Sequence, residues 1–419
     1  MKRFLAVFAL FVSTGLWAQA PTPVAAETTA LSPAQRSMAE AQKAIEKNPK
    51  QYAGYNQLAI ALARRARETS DVKYYAQGEE AVEKSLQLAA GNFDGEKIKV
   101  WLLLGRHEFG SALEAAKTLN KRVPDDVLVW GFLTDANAEL GNYKDAETAA
   151  QWMLDLRPGN LPGITRAAYL RELFGDLDGA LELMNMAYQS TPPNETEDAA
   201  WVLAQIGHLQ LASGRPADAD AILQQSLAMF PGYHYALGNL AKVRLEQKRY
   251  PEAVNLLAQR YHATLNAENL YDLADATDLA GRHDEAKQEF VEFEKKSLAE
   301  TWRGDNSNRE LIFYYADHAA EPTKALEIAT REYARRHDVF TLDAYAWALH
   351  LNGRNVEARQ QMETALAVGI RDARLFRHAG EISLAAGDQA AAEKYFAAAI
   401  ATHGAGWEQA KSALAKLTQ

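Results

Sequence analysis

Glu268, Asp272, Asp275 and Asp278 stand three or four residues apart, so on a helix they fall along one side, and Asp317 joins them if a neighbouring helix stacks alongside. Such a series can attract a basic partner, hold a hard cation or simply be solvated. Calcium calls for a looped chelate that a straight helix does not supply, and no metal site is expected. The ten histidines are scattered, and His107-Glu108 lacks the second His of a helical zinc-protease motif. Zero cysteines exclude thiolate nucleophiles, Cys-based zinc sites, disulfides and iron–sulfur clusters. Neither a G-x-S-x-G elbow nor a phosphate-cradling loop occurs. The expectation is a protein without catalytic residues or a cofactor.

Residues of these types must be carried by something, and the carrier is visible in a recurring pair. Gly is followed five residues later by Ala at Gly141/Ala146, Gly175/Ala180, Gly214/Ala219, Gly281/Ala286, Gly353/Ala358 and Gly387/Ala392. With Ala112, Ala253 and Ala325 at the same phase, the alanine intervals are 34, 34, 39, 34, 33, 39, 33 and 34 residues. The period is thus 34 with two five-residue insertions. Pro124, Pro158, Pro192 and Pro231 each follow their alanine by twelve residues, where a second helix should stop. Each unit reads as a helix hairpin: Gly ends the first helix, Ala lets the second approach closely, and Pro breaks it. One hairpin leaves apolar surface uncovered, so the units must stack.

This pattern resembles the tetratricopeptide-repeat family. The 34-residue period fits, as do a large residue at the fourth position (Trp130, Ile164, Leu203, Leu237) and a small one at the eighth (Ala168, Gly207, Ala241, Gly380). Ala at the twentieth position and Pro at the thirty-second also match. Nine units fit in phase from Phe93 to about Gly404, preceded by a lone helix at Ser32 to Pro49 and a stretched repeat over Tyr52 to Asn92. Two units depart from it, with Lys248 in the turn-Gly slot of one and Glu321-Pro322 in the turn of the other. The resemblance implies an all-α right-handed superhelix of about ten helix pairs over 32–404, with a capping helix in 405–419.

It also implies a concave groove lined by first helices, in which partners are commonly bound. Carrying over the family's groove positions names Trp101, Tyr169, Trp201, His208, Tyr235, Tyr271, Tyr314 and Trp347, with Asp275 and Asp278 from the acidic series. These aromatics either anchor a protein or peptide ligand or pack between neighbouring first helices as core. The family's clamp for a carboxylate chain end is missing: Asn239 is in place, but Ala204, His208, Glu268 and Asp272 replace the basic and amide residues around it.

The first twenty residues have the pattern of a bacterial secretory signal. Lys2 and Arg3 precede an apolar run, Phe4 to Trp17, too short to span a bilayer, and Ala18-Gln19-Ala20 is a cleavage pattern, with Val24-Ala25-Ala26 competing. A short lead-in over 21–31 follows. The mature chain is expected in the periplasm or secreted. A formal charge of −10 without a basic stripe points away from nucleic acid. The function expected is an exported scaffold binding a protein or peptide, of basic character if the acidic series faces it, in cell-envelope assembly or secretion. A small-ligand or glycan binder using the groove aromatics is the alternative. Ala146 and Ala219 test the repeat phase: either one changed to Leu should overpack its hairpin and cost about 1–3 kcal/mol in denaturant unfolding. Negligible effects at both would put the phase out of register.

Overall fold

A computed structural model describes residues 31–300, 307–402 and 404–417, so the signal-like segment lies outside the described residues. Helix α1 spans Pro33–Lys47. The N-terminal pairs are α2/α3 (Tyr52–Thr69, Lys73–Leu88), α4/α5 (Phe93–Gly105, Phe109–Arg122), α6/α7 (Val127–Glu139, Tyr143–Leu156) and α8/α9 (Leu161–Leu173, Leu177–Ser190). Next come α10/α11 (Thr196–Ala212, Pro216–Met229), α12/α13 (His234–Glu246, Tyr250–Ala263) and α14/α15 (Ala267–Leu279, His283–Glu300). The rest are α16/α17 (Ser307–Phe313, Pro322–Tyr333), α18/α19 (Val339–Leu351, Asn355–Leu366), α20/α21 (Ala373–Ala385, Gln389–Thr402) and α22 (Trp407–Leu417). No strand occurs among the described residues.

Local chemistry sets the helix boundaries. Asp126, Asn160 and Asp338 cap α6, α8 and α18 by accepting backbone N–H groups of the first turn. The turn after each first helix needs one left-handed residue. Gly141 supplies it with φ 81°, and where glycine is missing His107, Lys248 and Ala320 take the same conformation at φ 59°, 58° and 52°. The two irregular units therefore keep the geometry of the regular ones. Four residues of each five-residue insertion are taken up as extra helix: α10 runs to 17 residues and α15 to 18, against 13 and 14 in α6 and α7. After α16 the chain continues into a π turn, Tyr314–His318.

First helices form the inner layer. Each packs on its own partner and on the first helices of adjacent units, as α4 does on α6, α6 on α8 and α10 on α12, so its buried residues run around most of its circumference. Second helices bury one stripe, such as Ala146, Ala149, Ala150 and Met153 of α7. Small residues let the layers approach: a Cβ on Gly380 would lie 2.4 Å from the Phe396 ring. Ala146 and Ala219 are fully buried. The terminal helix α22 lies on α21 and α20 with Ala410 in the contact.

The core is a chain of small clusters, and one of them is not local. Ala138, Leu170 and Leu173 of α6 and α8 share a cluster with Val339, Leu342 and Leu349 of α18. The superhelix is wound tightly enough that successive coils touch. The Tyr143 hydroxyl accepts the Val339 N–H at 2.8 Å, Arg336 lies over the Phe109 ring at 5.9 Å, and Lys248 reaches Glu408 at 2.8 Å. Gly141 and Gly175 sit at this seam, where a Cβ would come within 2.4 Å of the carbonyl oxygens of His337 and Gly369. By contrast, a Cβ on Gly214, with φ 73°, would meet nothing within 4 Å. Gly214→Ala should therefore cost only left-handed strain, roughly 1–2 kcal/mol. Gly141→Ala should cost clearly more, as measured by urea unfolding; equal losses would mean that the coils do not touch in solution.

Candidate functional site

The concave face is lined by the first helices of successive units, and the coils touch along the seam. Its titratable groups interact across the coil. His107, from the α4–α5 turn, is pushed down to about 4 by burial, then by Arg336, with Glu268 pulling the other way and Arg309 adding to the fall. These residues lie far apart in the chain and meet only because the array curls upon itself.

Five of the eight aromatic and histidine side chains expected in the groove keep a water-facing surface. Tyr169 is half-buried, its hydroxyl 3.4 Å from Glu139 Oε1, and burial beside Glu139 and Glu172 drives the phenol well above its usual range. On the next first helix, His208 Nε2 lies 2.7 Å from Glu172 Oε1. Tyr235 on α12 is exposed and stacks obliquely on His234 at 4.1 Å. Trp101 and Trp201 are half-buried, each packed against the clusters of two adjacent units.

The other aromatics are core. Tyr271, Tyr314 and Trp347 are 5%, 9% and 6% exposed, which leaves too little ring to present to a partner. Tyr271 packs on Phe293 at 5.2 Å and Tyr314 on Phe290 at 5.4 Å. Trp347 stacks on His378 at 4.3 Å and donates its Nε1–H to Asp317 at 3.0 Å. The physical reason is that Phe290 and Phe293 of α15 lie in the same apolar cluster and cover the faces of Tyr271 and Tyr314.

The acidic series is matched within the chain. Arg260, at the end of α13, reaches Asp272 at 2.5 Å and Glu268 at 3.3 Å; Asp275 lies 3.5 Å from His318 and Asp278 2.7 Å from His283. Burial works to raise the Glu268 carboxyl, yet Arg260 and Arg309 hold it below its ordinary value. Asp272 stays above its ordinary value because burial outweighs Arg260. Position decides what a ligand would meet: the Glu268 and Asp272 side chains keep 38% and 33% of their surface open, while Arg260 behind them keeps 11%. The Glu268 and Asp272 side chains are thus more open than the arginine they pair with. Sequence spacing could not find Arg260, because a second-helix residue is not a groove position in the repeat.

Sequence reading also passed over Glu139, whose carboxyl is pushed up to about 7 by burial and then by Asp338, with Arg336 pulling down and Asp135 adding to the rise. Among the described residues, no group of three or more His, Asp or Glu side chains is placed to hold a metal ion, and no helix is long and apolar enough to cross a membrane.

Comparison with known proteins agrees with this geometry. Two family models described as tetratricopeptide repeat match, over residues 99–160 and 210–260. No curated protein matches the sequence. Among solved structures, a chain of the APC/C hetero-tetramer Cut9-Hcn1 is similar at 16% identity and a TM-score of 0.52, over 79% of this chain and 58% of that one. Human IFIT1 dimers are similar too. The dimer with m7Gppp-AAAA gives 13% identity and a TM-score of 0.51 over 87% of this chain and 85% of that one. The dimer with PPP-AAAA gives 11% and 0.50 over 88% and 95%. At these identities the likeness is one of fold.

Linkage gives the concave face a measurable signature. A carboxyl whose folded value is raised holds its proton more tightly in the native state, so stability falls as pH climbs from the ordinary carboxylate value through about 7 for Glu139. Glu139→Gln removes that loss. Urea unfolding at about pH 5 and about pH 7.5 should show the variant gaining on the parent at the higher pH. An unchanged difference would mean that Glu139 titrates as an ordinary surface carboxylate.

Proposed function

Because this chain is a tetratricopeptide-repeat protein, we propose that it is an exported scaffold whose concave face holds an extended segment of a protein partner, in cell-envelope assembly or secretion. The observation that carries the reading is a row of ring side chains left open to water on that face: Tyr169, His208 and Tyr235 remain partly exposed on the consecutive first helices α8, α10 and α12. An extended chain can run along such a ladder and meet one side chain per repeat. Rigid aromatic groups of this kind supply contact area at low entropic cost.

The partner's chemistry follows from what faces water. Glu268 and Asp272 stay more open than the Arg260 that pairs with them, so a segment carrying Lys or Arg beside an apolar anchor is matched. The IFIT1 structures hold PPP-AAAA or m7Gppp-AAAA; a phosphate chain here would meet like charge at these two positions. Export is supported by the charged start, the short apolar run and the A-x-A pattern within the first twenty residues.

Affinity capture by the chain from Glu27 onward, from an envelope fraction of its native cells, tests this. Tyr235→Ala should speed dissociation of the captured protein, by about 2 kcal/mol if the ring is a hot spot. Trp152→Ala, on the outward face of α7, should leave it unchanged. Equal losses in both variants would remove the concave face from the interface, and retention of a purified saccharide with no captured protein would replace the scaffold by a glycan binder. Fractionation that finds the chain only in the cytoplasm would overturn the export.

A further inference from the structure

We propose that the N-terminal end of the seam is a clasp, pinned by Arg67, that opens to load the concave face. The proposal rests on the scaffold reading for its purpose, but the clasp itself is argued from contacts alone.

Arg67 lies in the last turn of α2 and bonds across the coil to residues 130 and 131 positions away: its guanidinium donates to both oxygens of Glu197, from Nε at 3.1 and 3.0 Å, and its Nη2 also reaches Asp198. Glu197 is 1% exposed and accepts the Tyr233 hydroxyl at 2.5 Å as well. Burial alone would lower the Arg67 guanidinium, yet Glu197 and Asp198 hold it above its ordinary range. Around this pin, Arg64 bonds to Glu195, His234 Nε2 lies 2.8 Å from the Arg67 carbonyl oxygen, and the Thr264 hydroxyl donates to the Thr69 carbonyl. Asn266 donates to the Ser70 hydroxyl at 3.2 Å. The end of α2 is thereby tied to the starts of α10, α12 and α14 at once.

Two features make this a clasp rather than more core. Its bridges are polar throughout, whereas the other part of the seam buries Leu170, Leu173, Leu342 and Leu349 in one apolar cluster. Nor does α2 pack closely on α10, α12 or α14; side chains span between helices whose backbones stand apart. Releasing polar bridges to water costs little net free energy, since water replaces each bond, while parting an apolar cluster exposes surface that water does not reward. Apart from these bridges α1 to α3 pack closely only on one another and on α4, so they can swing out with the interior of every hairpin intact. Tyr235 lies just inside, close enough to Arg67 and Tyr75 for their charges to bear on one another. Opening the clasp would bare this end of the ladder from the side and spare a partner from threading through an end.

The natural chain has no cysteine, so one introduced thiol reports access cleanly. Tyr235→Cys is labelled with N-ethylmaleimide and, separately, with a maleimide carrying a long polyethylene glycol chain. With the clasp shut, the small reagent reacts readily and the bulky one slowly. Adding Arg67→Met should speed the bulky reaction roughly tenfold or more and leave the small one nearly unchanged. About 0.5 M salt should give a smaller rise in the Arg67 parent, because the buried Glu197 is screened weakly, and little further effect in the variant. Arg64→Met, which removes the outer pairs to Glu195 and Asp198, should give a smaller rise and stands in if the Arg67 variant loses its helical circular dichroism. Bulky-reagent rates equal to the parent's in folded variants would overturn the clasp. No partner is involved, so this result stands apart from any failure to capture one.

Discussion

Two helices joined by a tight turn cannot bury their apolar faces on each other alone, and everything else in this protein follows from covering what is left. The first helices meet the demand on nearly all sides, because each is sandwiched between the two adjacent first helices and its own partner. Second helices meet it on one stripe and leave the opposite side to water. The requirement for close approach then falls on small residues at the contact points, such as Ala146 and Gly380, where even a methyl group is felt in interiors packed as densely as organic crystals.

Stacking has a second consequence. Each unit is rotated slightly against the one before, and the rotations add until one coil lies against the next. Here they add to contact, and the contact has two characters. Around α6, α8, α18 and α20 it is apolar and part of the core. Between α2 and the starts of α10, α12 and α14 it consists of ion pairs and hydrogen bonds carried by side chains. An apolar seam sets the diameter of the coil, and a polar one beside it can open without disturbing that diameter.

Closure also changes what charge means on the concave face. On an exposed helix, four carboxylates at helical spacing would be a mild liability screened by water. Here arginines from other helices pair with the carboxylates: Arg260 behind Glu268 and Asp272, Arg336 near Glu139 and Asp338. Where matching falls short, as at Glu139, burial keeps the proton on the carboxyl up to about 7. The face is therefore polar without being strongly charged.

The hairpins were legible in the sequence because they are local. A left-handed turn residue, an Ala at the close contact and a Pro at the stop act within one unit, and they recur with a beat of 34 residues that only stacked units explain. Even the irregular units kept to it, since His107, Lys248 and Ala320 adopt the conformation that glycine takes elsewhere. What the tertiary structure alone decided is everything that depends on summed rotation: that coils touch, that Arg67 meets Glu197, that Arg260 backs the acidic side of α14. The fate of Tyr271, Tyr314 and Trp347 belongs here too, because groove position within a repeat says which way a ring points and not what comes to lie on it. A small error in the angle between neighbours is invisible within one hairpin and grows with every unit, so the sequence of each repeat specifies its own fold far more tightly than the diameter of the coil they build together.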